Sequence, residues 1–179
     1  MLAHRHRLAA YHGHIVAKIL AHSVLQLLRY VSYSHSCRQG MVVAGYWPMA
    51  GEVDVRPLLR RFSLLGWQTA LPVVVSKQPL IFRIWKNNFL LEDGRHNTLN
   101  PRSGTQQVVP DVILVPLLAF DPAGFRLGFG AGYYDRTLAD LRRRRRGKVV
   151  AIGIAFADQE IPRVPRHRYD VTLDLIWRG

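Results

Sequence analysis

Apolar positions along the chain change period several times, and each change marks an element. Leu8, Ile15, Ile19, Leu20, Leu25 and Leu28 recur at helical spacing, which predicts one or two amphipathic helices within residues 1–40. Met41 to Tyr46 is a continuous apolar run, the pattern of a strand buried on both faces. A loop punctuated by Pro48 and Gly51 follows, then a predicted helix from Val55 to Leu65, with Asp54 as its N-cap and Gly66 as its stop. Gln68 to Val75 and Leu80 to Trp85 read as two further strands. Lys86 to Gln107 has no periodicity and predicts an irregular excursion, a length often tied to function. Val112 to Val115 is the most strand-like stretch of the chain, and Val149 to Phe156 is another buried strand. Between them Tyr134 to Leu141 has helical spacing, and Val171 to Ile176 predicts a last short strand. Strands alternating with helices give an α/β fold: an open, mainly parallel sheet with helices on both faces, its site at the carboxyl ends of the strands.

Composition sharpens this picture. The chain has 179 residues, 49% of them hydrophobic, enough for one domain with a proper core. A formal net charge of +13 calls for an anionic partner, whether nucleic acid, an acidic surface or a polyanionic small molecule. A lone cysteine, Cys37, excludes an intramolecular disulfide and fits a reducing compartment. Lys18 and His22 break up the apolar stretch from Ile15 to Leu28, so a signal peptide is not expected. With no apolar run of transmembrane length, the expectation is a soluble, cytoplasmic protein. Six of the eight histidines (His4, His6, His12, His14, His22 and His35) crowd the first forty residues, without acidic or cysteine neighbours to complete a metal site. The run Arg142 to Arg146 reads as a solvated helix end, favourable against the dipole; nucleic-acid binding is the alternative.

The candidate chemistry lies in Arg126-Leu127-Gly128-Phe129-Gly130-Ala131-Gly132-Tyr133-Tyr134-Asp135. Alternating glycines before a helix offer backbone N–H groups and a positive dipole end to a phosphate. A plain glycine turn would show the same spacing. Arg126 adds a cation and Asp135 a carboxylate suited to a metal. The other loop after a strand carries Trp47 and Glu52, and both loops are expected on one edge of the sheet. Together they suggest a pocket for a nucleotide phosphate and a flat, polar second substrate.

Four ordered blocks then give the chain a resemblance. Trp-Pro-Met-Ala-Gly-Glu-Val-Asp at 47–54, Val-Pro-Leu-Leu-Ala-Phe-Asp at 115–121, the glycine stretch at 126–135, and Ala-Ile-Gly-Ile-Ala-Phe-Ala-Asp-Gln-Glu at 151–160 resemble the 5-formyltetrahydrofolate cyclo-ligases, also called methenyltetrahydrofolate synthetases. The resemblance implies a fold like that of the sugar-phosphate isomerases and CoA transferases. It also implies an ATP- and Mg²⁺-dependent closure of 5-formyltetrahydrofolate to 5,10-methenyltetrahydrofolate. Carried over by position, Arg126 to Tyr134 would line the ATP phosphates, with Arg5 as a second cation, and Phe129 to Tyr133 would also face the folate. Trp47 and Glu52 would hold the folate, Tyr134 and Arg126 would serve the reacting groups, and Asp135 and Asp170 would bind Mg²⁺. The substrate would carry a poly-γ-glutamyl tail. The chain departs from the family at Asn97-Thr98-Leu99-Asn100-Pro101, where Gly-Ile-x-Glu-Pro is usual, and at Tyr169-Asp170, where His-Asp is usual. The family's first N-terminal cation has no counterpart here. A protein of this fold that binds folate or nucleotide without turnover is the second reading.

Overall fold

A computed structural model describes residues 1–34, 40–95, 98–145 and 148–179. His35, Cys37, Asn97 and Arg146 lie outside them. The sheet has seven strands in the order β11-β10-β7-β1-β2-β3-β6. β1 (Val42–Ala44), β2 (Gln68–Val73), β7 (Val112–Pro116), β10 (Val150–Ala155) and β11 (Leu175–Arg178) run parallel; β3 (Ile81–Ile84) and β6 (Gln107–Val108) close one side antiparallel.

Strand periodicity sends alternate side chains to opposite faces, and each face has its own core. Val43, Leu114 and Ile152 meet α1 (Leu2–His22), α2 (Val24–Ser34) and α3 (Arg56–Leu64). Val42, Ile113, Val115 and Ala151 meet α4 (Tyr133–Arg144) through Leu138 and Leu141. Helices therefore cover both faces, as expected. No single helix among the described residues is long and apolar enough to cross a membrane.

The chain leaves β1 toward β2 through α3, and leaves β7 toward β10 through α4. Strand order thus reverses between β1 and β7, which opens a crevice at their carboxyl ends.

Three expectations are corrected. Asp54 does not sit at the N-cap of α3; Val55 does, and the Asp54 carboxylate accepts the Arg56 N–H at 2.9 Å from one residue further out. The segment 86–107 is not wholly irregular: β4 (Leu91–Asp93) pairs with β5 (Leu99–Pro101), and β6 follows. These strands are too short and polar to show a period. The last strand begins at Leu175 rather than Val171, because the preceding residues bond elsewhere. Leu173 N–H donates to Gly124 O at 2.9 Å, and Val171 N–H donates to Asp135 Oδ1 at 3.1 Å.

Arg142 to Arg145, the described part of the arginine run, all have partners. Arg142 donates to Thr172 O and Asp174, Arg143 and Arg144 to Asp140, and Arg145 to Asp111. Asp111 and Asp174 each precede a strand and also accept a neighbouring strand's N–H, Val42 at 2.9 Å and Ala151 at 2.7 Å. Arg142 and Arg145 therefore pin the end of α4 to the amino edge of the sheet, opposite the crevice, while Arg143 and Arg144 stay on the exposed face of the helix. Asp111→Ala removes the partner of both Arg145 and the Val42 amide. It should destabilise the fold by about 3 kcal/mol and lower Tm by about 10 °C; an unchanged thermal melt would contradict this role.

Candidate active site

The loop after β1 and the segment after β7 meet at the crevice, and Arg5 is where they join. Its side chain reaches in from the first turns of α1 and is 2% exposed; that of Glu52 is 3% exposed. Arg5 Nη1 donates to Glu52 Oε1 at 3.4 Å and to Leu117 O at 3.3 Å, and Nη2 donates to Ala50 O at 3.2 Å. The guanidinium also stands 5.2 Å from the centre of the Phe129 ring in the glycine loop. Glu52 Oε2 accepts the Met49 N–H at 2.9 Å. Burial pushes the Glu52 carboxyl above its ordinary range, while the Met49 amide and Arg5 hold it back.

Gly51 makes this closeness possible. Its φ is +82°, and a Cβ there would lie 2.3 Å from His6 Cδ2. No other residue lets α1 rest on the loop in this way.

Trp47 lies edge-on to Trp85, with ring centres 6.5 Å apart, and the Arg56 guanidinium stacks 4.7 Å from its ring. Arg56 is in turn held by both oxygens of Asp54 at 2.8 Å. The result is a braced, half-buried aromatic surface beside Glu52.

The glycine segment does not leave β7 directly. A two-stranded hairpin, β8 (Ala119–Phe120) with β9 (Arg126–Leu127), comes first and delivers Leu127 to the loop. Asp121 ties the hairpin turn, accepting the N–H groups of Ala123 and Phe125, and further along the chain that of Val164. Gly128, Phe129, Gly130 and Ala131 are exposed, and Gly130 and Gly132 take φ of +85° and +64°. Gly132 caps α4, so Tyr133, Tyr134 and Asp135 form its first turn. Burial pushes the Tyr134 hydroxyl well up; Glu52 adds to this and Arg126 opposes it. Tyr134 therefore stays a hydrogen-bond donor.

Arg126 turns inward rather than into the open crevice. It donates to Asp135 Oδ1 and Val171 O, each at 2.7 Å. Burial lowers its pKa, and Asp135 is the main opposing influence. Asp170 lies within the same field, its Oδ2 accepting the His167 N–H at 2.6 Å. Asp135 thus bonds Arg126 directly, and Asp170 acts on the same guanidinium through space. Among the described residues, no group of three His, Cys, Asp or Glu is placed to hold a metal.

A model of the 5-formyltetrahydrofolate cyclo-ligase family matches residues 2–178. The chain belongs to that family. The 5-formyltetrahydrofolate cyclo-ligase of Escherichia coli K12 is 31% identical over 140 residues, 75% of each chain. That of Haemophilus influenzae is 29% identical over 142 residues, covering 76% of this chain and 74% of its own. The 5,10-methenyltetrahydrofolate synthetase of Aquifex aeolicus superposes with a TM-score of 0.75 at 28% identity, over 99% of this chain and 84% of its own.

Two residues of this cyclo-ligase chain carried no expected role. Arg136 donates to Ala131 O at 2.9 Å and stacks 5.1 Å from the Tyr133 ring, which places a cation against the glycine loop. Its place four residues after Gly132, one helical turn along, was the available signal. Buried Gln159 donates to Leu117 O at 2.9 Å and Leu118 O at 3.1 Å, and accepts the Phe156 N–H at 2.7 Å. It fixes the end of β7 where Arg5 also bonds, and no sequence period marks it.

Gly51→Ala meets a positive-φ cost of about 1–2 kcal/mol together with the clash against His6. We expect a lower thermal midpoint and α1 displaced from the loop, read by faster amide exchange in residues 2–8. Wild-type melting and exchange would show that the contact does not matter.

Proposed function

We propose that this chain is an active 5-formyltetrahydrofolate cyclo-ligase, closing 5-formyltetrahydrofolate to 5,10-methenyltetrahydrofolate with ATP hydrolysed to ADP and phosphate. The observation that carries this reading is the meeting of Glu52, Arg5 and Phe129 at one crevice, in a chain of this family.

The chemistry explains why both loops are needed. A formamide is a poor electrophile and its oxygen a poor leaving group. Transfer of the γ-phosphoryl of ATP to that oxygen gives an imidate phosphate. The N10 nitrogen of the same folate then attacks the formyl carbon and phosphate departs, so orientation replaces a second encounter. The protein's work is positioning and charge neutralisation.

Residues 127–134 line the phosphates, with the glycine backbone and the α4 terminus as donors and Arg136 beside them. Arg126, turned inward, does not reach them as its position in the family would imply. Phe129 to Tyr133 face the folate from the same loop. Trp47 offers its braced ring to the pterin, and Glu52 accepts from pterin N–H groups. Tyr134, protonated, donates near the formyl oxygen. Asp135 and Asp170 suit Mg²⁺, which takes one or two carboxylates and completes its shell with waters and phosphate oxygens. Mg²⁺ would neutralise phosphate charge there, and Arg126 holds Asp135 in position for it. The basic balance of the chain favours ATP and polyglutamylated folates alike, in a cytoplasmic setting.

Mixing the protein with ATP, Mg²⁺ and 5-formyltetrahydrofolate should produce the near-ultraviolet absorbance of the methenyl product. Without turnover, the chain would be a binding protein on this fold. Glu52→Gln should raise the folate KM by about 10- to 100-fold and leave ATP binding near wild type. Asp135→Asn should raise the Mg²⁺ requirement roughly tenfold. Wild-type kinetics in both variants would overturn the residue assignments.

A further inference from the structure

Arg5 touches both loops of the crevice with a single guanidinium. It bonds Glu52 and Ala50 on the loop proposed for folate and faces Phe129 on the loop proposed for phosphate. Its bonds are long, from 3.2 to 3.4 Å, at or beyond the outer edge for N–H···O pairs. Its Nε is buried with no partner among the described residues. A buried cation with stretched bonds and an idle donor is held less firmly than one in a short, bidentate pair. Phosphate oxygens offer such pairs.

Glu52, meanwhile, is buried, with Arg5 on its Oε1 and the Met49 N–H on its Oε2. A ligand N–H bound at Oε1 would compete with Arg5 for that oxygen. We propose, resting on the site reading above, that Arg5 couples the two substrates: nucleotide phosphates draw it from Glu52, and the freed carboxylate then takes the pterin. Phe129, 5.2 Å from the guanidinium, already gives it a contact on the glycine loop. By linkage, nucleotide tightens folate and folate tightens nucleotide by one shared factor.

The test is equilibrium binding of 5-formyltetrahydrofolate, followed by tryptophan fluorescence, with and without a non-hydrolysable ATP analogue and Mg²⁺. In the wild-type chain the analogue should tighten folate by about tenfold. In Arg5→Met the two affinities should agree within about twofold, and Arg5→Lys should fall between. Circular dichroism establishes that both variants are folded, and Arg5→Lys carries the comparison if Arg5→Met is not. Undiminished coupling in the folded variants, or no coupling in a wild-type chain that binds both ligands, would overturn the proposal alone. A wild-type chain that binds neither ligand would overturn the site reading and the coupling with it.

Discussion

Val43 beside Val112 and Ala44 beside Ile113, in parallel register, hold β1 against β7, and the site depends on that pairing. Parallel strands release their following loops on the same edge of the sheet. Because the chain turns away from this pair in opposite directions, through α3 on one face and α4 on the other, the two loops part around a crevice instead of packing it shut. Antiparallel pairing of these two strands would send Glu52 and the glycine loop to opposite edges. The Asp111 carboxylate, bonded to the Val42 amide and Arg145, fixes the register from the far end.

Around the crevice, buried polar groups take over from apolar packing. Arg5 pairs with Glu52 from a distant element, Arg126 pairs with Asp135 across the glycine loop, and Gln159 satisfies the carbonyls where β7 ends. Each pairing joins a backbone segment that apolar contacts alone would leave loose. The cost of burying these charges is offset only while the partners stay together. That makes this region of the fold the one most responsive to a charged ligand. Arg5 has a buried, unused donor and bonds of 3.2 to 3.4 Å, whereas Arg126 makes two bonds of 2.7 Å, so the two arginines differ in readiness to move.

Much of this was legible in the sequence. Continuous apolar runs identified the central strands, and turn residues such as Gly66 and Gly132 marked helix ends. Trp47, Glu52 and the glycine segment were recognisable because their residue types and order are specific. The short strands of the 86–107 segment were not, since a pair such as Gln107–Val108 has no period to detect. Residues 171–173 look like a strand by alternation, yet their amides and carbonyls serve the hairpin and α4. Pairings such as Arg5 with Glu52 and Arg126 with Asp135 depend on tertiary approach, which spacing does not encode. The arginine run reads correctly as a helix end, with Arg143 and Arg144 solvated, but its partners could not be read: Arg142 and Arg145 meet carboxylates that lie far along the chain.

The proposed reaction requires the two substrates to meet in one crevice, so that the terminal phosphoryl of ATP reaches the formyl oxygen. Turnover of 5-formyltetrahydrofolate carrying ¹⁸O in its formyl group, with the released phosphate analysed by mass spectrometry, tests this directly. One labelled oxygen per phosphate is the predicted result. Unlabelled phosphate, with ¹⁸O recovered in water or formate, would contradict it.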